Sequence, residues 1–218
     1  ALLDLIDEQT DPTIATYAKE GECSVRVASK RHTLEEAAEA VDFVVEKIRE
    51  RVGEFMNSED DENLAQVVGK KLIDRGISIS ACESCTAGMF ASELAGVLGI
   101  SAVFDRGIVT YTWKSKIEEL GVSLVTLEAY TAESRQVCEE MVRGLYAKTG
   151  SRVCVSVTGL AGPGGGTLEK PVGTIYMGCL FDGRLEIREI RTGRDNRNWN
   201  RHYAVLHMFD LVNKMLEE

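Results

Sequence analysis

Four residues have the types and settings that an acyl-transfer reaction needs: Ser84, Lys116, Tyr111 and Thr158. Ser84 lies in Cys82-Glu83-Ser84-Cys85-Thr86-Ala87-Gly88, which breaks a β-branched run. Thr158 opens Thr158-Gly159-Leu160-Ala161-Gly162-Pro163-Gly164-Gly165-Gly166-Thr167, which ends another. A serine between a strand and a helix faces free N–H groups and the positive end of the helix dipole. Donors so placed can stabilise the oxyanion of a tetrahedral intermediate. Ser84 or Thr86 could equally be an N-cap, worth about 1 kcal/mol. Cys85 is an alternative nucleophile, but no histidine is placed to partner it. Cys82 and Cys85 form a lone C-x-x-C with no second pair, which makes metal or redox use the minor reading.

A hydroxyl nucleophile needs a base. The histidines are His32, His202 and His207; the last two are five apart and share no helix face. Lysine is the remaining choice, as in Ser–Lys hydrolases. The run Gly107-Ile108-Val109-Thr110-Tyr111, followed by Thr112-Trp113-Lys114-Ser115-Lys116, offers a phenol and amines. A lysine acts as a base only when largely neutral, through burial or a nearby cation. The other reading of Lys116 is a solvated lysine at a helix start.

In the glycine-rich stretch Gly159, Ala161, Gly162, Gly164, Gly165 and Gly166 carry a methyl or nothing, so N–H groups can turn toward a ligand. It is neither a Walker loop nor a dinucleotide fingerprint, because no G-K-[ST] follows and Pro171 leads into a strand. A flexible connection between strands has the same composition. Arg188, Arg191, Arg194, Arg197 and Arg201 gather positive charge, suited to phosphate or to a solvated face.

Periodicity and turn chemistry give the elements that must carry these residues. Leu2 to Asp7 reads as the end of a helix, Asp11-Pro12 as a turn, and Glu22 to Ala28 as a half-exposed strand. Thr33 with Glu36 has the capping-box spacing and opens a helix that closes near Gly53. The acidic run Asn57 to Asn63 is the linker, separating a first domain (1–56) from a second (64–218). Beyond it the expected order is helix Leu64–Asp74, strand Ile77–Cys82, helix Thr86–Leu98 and strand Arg106–Trp113. Then come helix Thr131–Lys148, strand Arg152–Val157, a hairpin of Gly173–Phe181 with Leu185–Ile190 across Asp182-Gly183, and helix Asn198–Leu216. Helices separating short apolar strands predict a layered α/β domain.

Composition narrows the function classes. The 218 residues carry a net charge of −10, which disfavours a nucleic-acid surface while leaving room for a local positive pocket. No stretch reaches membrane-spanning length. The six scattered cysteines read as buried free thiols of a reducing cytoplasm.

From about Leu64 to Leu216 the chain resembles the C-terminal domain of the CinA (competence/damage-inducible protein) family, the PncC-type nicotinamide mononucleotide amidases. The strings that carry the resemblance are Glu83-Ser84-Cys85-Thr86, Val109-Thr110-Tyr111 with Lys116, Thr158-Gly159 through Gly166-Thr167, and Lys170-Pro171-Val172-Gly173. Asp11 to Ala15 and Lys19 to Glu22 resemble the small KH-like region that precedes it. The resemblance implies an α/β/α amidase domain with a mixed sheet, preceded by an α+β KH-like domain. It also implies hydrolysis of nicotinamide mononucleotide to nicotinic acid mononucleotide and ammonia. Ser84 is then the nucleophile, and Lys116, with Tyr111 beside it, the proton-transfer partner. Thr158 and an arginine, best matched by Arg197, orient or stabilise the substrate. Glu83, Cys85, Thr86, Gly159, Gly162, Gly164, Gly165, Gly166, Arg197 and Arg201 line the substrate. No metal or cofactor, no nucleic acid and no membrane is implied; a homodimer is, and the family's N-terminal molybdopterin-binding-like domain is absent from this sequence. The family usually has Ala at Cys82, Gly at Ala87 and Thr131, Asn at Trp113, and Gly-Asp-Arg where Asp195-Asn196-Arg197 stands. The alternative implied reading is an adaptor acting through protein partners in competence or the DNA-damage response.

Overall fold

The computed structural model describes residues 1–19 and 21–217. The chain divides into two compact units, Ala1–Asp61 and Glu62–Glu218.

The first unit holds α1 (Leu3–Asp7), the strands β1 (Thr13–Ala18) and β2 (Cys23–Ala28), and α2 (Leu34–Val52). β1 was not expected from the sequence; it pairs antiparallel with β2, from Thr13 against Ala28 to Ala18 against Cys23. Asp11 fixes the entry to the hairpin by accepting from Ser29 Oγ, the Lys30 N–H and Arg31 Nε, the last at 2.6 Å. These donors hold the Asp11 carboxyl below its ordinary range, the Lys30 N–H most of all. Thr33 caps α2 by accepting from the Glu36 N–H at 3.1 Å. Among the described residues of this unit only Ile14 and Ile48 are fully buried hydrophobics.

The second unit is a mixed five-stranded sheet in the order β4-β3-β5-β6-β7, covered by helices on both faces. Its elements are α3 (Leu64–Asp74), β3 (Ile79–Glu83), α4 (Met89–Ala95), β4 (Phe104–Val109), α5 (Trp113–Leu120) and α6 (Leu124–Tyr130). They continue with α7 (Arg135–Thr149), β5 (Val153–Gly159), β6 (Thr174–Phe181), β7 (Arg184–Arg191) and α8 (Arg197–Glu217). β3 runs parallel to β4 and β5, while β6 and β7 are antiparallel additions. The expected hairpin turns at Asp182 and Gly183, both at positive φ, as a two-residue turn requires.

Strand alternation separates two cores. Ile79, Ala81, Val153, Val155 and Val157 pack with α3, α4 and α8. Cys82, Cys154 and Tyr176 pack on the other face with α5, α6 and α7. Gly144 allows α7 to pass the end of α5, since a Cβ there would lie 1.8 Å from the Leu120 carbonyl oxygen.

Several boundaries differ from expectation, and three of them have a clear local cause. The run expected as strand to Trp113 stops at Val109, because Thr112 and Ser115 form a capping box that starts α5. The helix expected from Thr86 begins at Met89, after a turn with Ala87 at φ 52° and Gly88 at φ 93°. The helix expected from Thr131 begins at Arg135, because Thr131 takes φ 65° and ψ 165° and Ser134 is the residue that caps α7.

Candidate active site

Parity along β3 decides where its last side chains go. Glu83 follows Ala81 toward α4, whereas Ser84 follows Cys82 toward α5. The register opposes Glu83 to Val157, so Ser84 lies beside Thr158, and the Ser84 N–H donates to the Val157 carbonyl at 3.0 Å. Thr158 has the parity of Cys154, so both hydroxyls belong to one sheet face.

Glu83 has a different task from the substrate contact expected of it. Its buried carboxylate accepts from Thr86 Oγ1 at 2.6 Å and from the N–H groups of Gly88, Phe90 and Ala91. Both oxygens are thereby engaged by the orphan donors at the start of α4. Thr86 is also turned inward, its hydroxyl spent on Glu83. Arg201 braces the turn from α8, donating from Nε to the Cys85 carbonyl at 3.0 Å and from Nη2 to the Thr86 carbonyl at 2.8 Å. Cys85 is buried in the first core, and burial pushes its thiol up to about 12, which keeps it protonated and unreactive.

Lys116 arrives from the opposite side. It is one turn into α5, whose side chains lean toward the helix N-terminus. That lean brings Nζ to 2.8 Å from Ser84 Oγ and 2.6 Å from the Thr110 carbonyl oxygen. The whole residue is 0% exposed and has no carboxylate in its hydrogen-bond shell. Burial lowers its pKa from the ordinary lysine value. Trp113 stands at the first position of α5, 41% exposed, and the serine–lysine contact is made without it.

Thr158 donates its hydroxyl proton to the Ala132 carbonyl at 2.8 Å, so its lone pairs alone remain for a ligand. Tyr111 is half exposed, and its hydroxyl accepts from Arg197 Nη2 at 2.6 Å. Arg197 Nη1 donates to the Gly162 carbonyl at 2.7 Å and ties the glycine loop to this edge. The other arginines of the cluster are engaged elsewhere: Arg188 with Asp210, Arg191 with Glu189, and Arg194 over the Trp199 ring.

The glycines divide by role. A Cβ on Gly159 would fall 2.6 Å from Ile175 Cα, on Gly162 2.5 Å from Val172 Cγ1, and on Gly166 2.7 Å from the Val172 nitrogen. Those three are glycines for packing. Gly164 has open space around it at φ 84°, and Gly165, at φ 80°, meets only the Leu160 side chain. At these two positions a side chain would meet no backbone within 4 Å, so packing does not require glycine there.

Sequence reasoning missed the parts played by main-chain carbonyls. Thr110 aims the lysine and Ala132 orients Thr158, yet neither uses its side chain for the purpose. Parity alone could have paired Ser84 with Thr158. A concavity of about 570 Å³ in the first unit, lined by Pro12, Ile14, Phe43 and Arg31 among others, holds no paired nucleophile and base. Chemistry rather than volume singles out Ser84. Among the described residues no group of three histidine, cysteine or acidic side chains is placed to hold a metal ion, and no helix is long and apolar enough to cross a membrane.

Comparison with known proteins bears on both units. The family model of the CinA C-terminal domain matches residues 61–216, and that of the damage-inducible protein CinA KH domain matches 1–56. A CinA-like protein of Dictyoglomus turgidum is 41% identical over 213 residues, covering 98% of this chain and 52% of the relative. The chain spans about half the length of the curated relatives it matches. Among solved structures, the competence/damage inducible protein CihA from Agrobacterium tumefaciens is 34% identical with a TM-score of 0.67, covering 74% of this chain and all (100%) of that one. A competence-damaged protein (CinA) superfamily protein from Klebsiella pneumoniae 700603 is 29% identical with a TM-score of 0.68, covering 72% and 99%.

Proposed function

We propose that this chain, which belongs to the CinA family, hydrolyses the carboxamide of nicotinamide mononucleotide to nicotinic acid mononucleotide and ammonia. The observation that carries the reading is the buried Lys116 amine 2.8 Å from Ser84 Oγ, aimed there by the Thr110 carbonyl. Burial lowers the lysine pKa, which raises the neutral fraction that can take the serine proton.

In this account Ser84 Oγ attacks the carboxamide carbon as its proton passes to Lys116. The N–H groups of Cys85 and Thr86, held by Glu83 and Arg201, face the oxyanion. Lys116 then gives its proton to the leaving nitrogen and ammonia departs, leaving an ester on Ser84. A water molecule, deprotonated by the same lysine, attacks that ester, and the returned proton restores the serine. Thr158, its own proton committed to Ala132, accepts an N–H of the carboxamide and turns the leaving nitrogen toward Lys116. Arg197 and the backbone at Gly164 and Gly165, where the loop has room, meet the 5′-phosphate. Tyr111, whose oxygen accepts from Arg197, keeps its own proton to donate to the substrate. The reading includes a homodimer working in the cytoplasm without a cofactor.

An ammonia-release assay on nicotinamide compounds with and without the 5′-phosphate tests the assignment. The account expects turnover of the mononucleotide and a KM at least about tenfold higher for the riboside, which lacks the phosphate contacts. Failure to release ammonia from every compound would overturn it.

A further inference from the structure

Lys170 sits on the returning leg of the glycine loop, and that leg is fixed. The Thr167 N–H donates to the Lys170 carbonyl at 2.9 Å, and the Lys170 N–H donates back to Thr167 Oγ1 at 3.0 Å. Pro171 restricts the residue before it to extended backbone. The loop's neck is closed by the Gly173 N–H on the Leu160 carbonyl at 2.7 Å. The lysine is therefore delivered to one place by a rigid turn. Its Nζ donates to the Tyr130 carbonyl at 2.6 Å and to Thr131 Oγ1 at 3.1 Å.

The place it reaches is the most strained backbone near the site. Thr131, at φ 65° and ψ 165°, occupies a region in which glycine is nearly the sole residue found. Such a conformation persists only when its surroundings over-determine it. The Thr131 N–H donates to the Leu127 carbonyl at 2.9 Å, and Ser134 Oγ donates to the Thr131 carbonyl at 2.9 Å. Both partners belong to the same local segment; Lys170 supplies the restraint from outside it. The next residue, Ala132, is buried, and its carbonyl receives the Thr158 hydroxyl.

We infer that Lys170 is a positioning residue: by clamping the strained Tyr130–Thr131 turn it holds the Ala132 carbonyl that orients Thr158 beside Ser84. The clamp couples the loop assigned to the phosphate with the hydroxyl assigned to the carboxamide. This inference rests on the serine-hydrolase reading for its consequence, but the clamp itself is a statement about backbone.

The test uses the full chain and two readouts. The first is amide hydrogen exchange in residues 127–134. The second is the rate at which a fluorophosphonate probe labels Ser84, which needs no knowledge of the substrate. Lys170→Met keeps the stem and removes the ammonium; exchange should rise about tenfold and labelling should slow about ten- to a hundredfold, the scale of a small misplacement. Adding Thr131→Gly lets the turn hold its shape unaided, so the double variant should recover both. Unchanged exchange in Lys170→Met overturns the clamp. Raised exchange with unchanged labelling, or no recovery with glycine, overturns the positioning role. Absence of labelling in the parent chain sinks the nucleophile reading instead, and the exchange arm still decides the clamp.

Discussion

The turn after β3 and the glycine-rich loop after β5 flank the same sheet edge, yet they are built on opposite principles. In the first, the turn that carries Ser84 is tied down on two sides: Glu83 takes four donors, and Arg201 holds two carbonyls. In the second, the middle of the loop is open at Gly164 and Gly165, with restraint confined to its ends and to the Arg197 and Lys170 contacts. A serine proposed as nucleophile needs one geometry, and the chain fixes the turn around Ser84 with buried polar bonds. In the proposed reading the glycine loop meets the phosphate, and a segment with that task is served by room around its backbone, which glycine leaves. Rigidity and openness here are both hydrogen-bond decisions.

Removing the proposed base should have the largest effect. Lys116→Met keeps the buried stem, so ammonia release should fall at least about 10³-fold while the Tm is kept or raised. A comparable loss of Tm would mean that the lysine is structural. The same group sets the pH dependence. Its folded pKa is lowered by burial, and in the proposed mechanism the neutral amine is the active form. On the acid side kcat/KM should therefore rise about tenfold per pH unit and level off at a pH below the ordinary lysine value. A profile flat across that range would remove Lys116 as the base.

Two further variants set one region directly against the other. Glu83→Gln replaces an acceptor oxygen with a donor inside a ring of donors, and should cost about 2–4 kcal/mol of stability by denaturant unfolding. If stability holds and only activity falls, the carboxylate meets substrate after all. Gly164→Ala should give the smallest change, about 1–2 kcal/mol on folding, from a side chain at φ 84°. Its mark should be a raised KM for the phosphorylated substrate, and a lowered kcat at constant KM would place the loop in the chemistry instead.

Much of this site was legible because strands and turns write themselves strongly. Ile79 to Cys82 is a short buried run, and the residues after it have strand-end chemistry. Asp182-Gly183 named its own hairpin. The parts that stayed hidden did so for physical reasons. α5 comes three residues after β4, and its capping box pairs Thr112 with Ser115 rather than with Glu or Gln, so the β-branched and aromatic run Ile108 to Thr112 reads as one long strand. α6 has only seven residues, too few for a helical period to stand out. Thr131 carries a side chain where its backbone suits glycine, so nothing in its type announces a turn. Glu83 was expected against the substrate only because the family resemblance implies it; parity along β3 sends its side chain to α4 instead.

The claim beneath all of this is that Ser84 oxygen does the attacking. Ammonia release from nicotinamide mononucleotide by Ser84→Ala, compared with the parent chain at matched Tm, tests it most directly. The account predicts activity reduced to background in a protein that melts where the parent does. Turnover at the parent rate would contradict it and return Ser84 to the role of a turn residue.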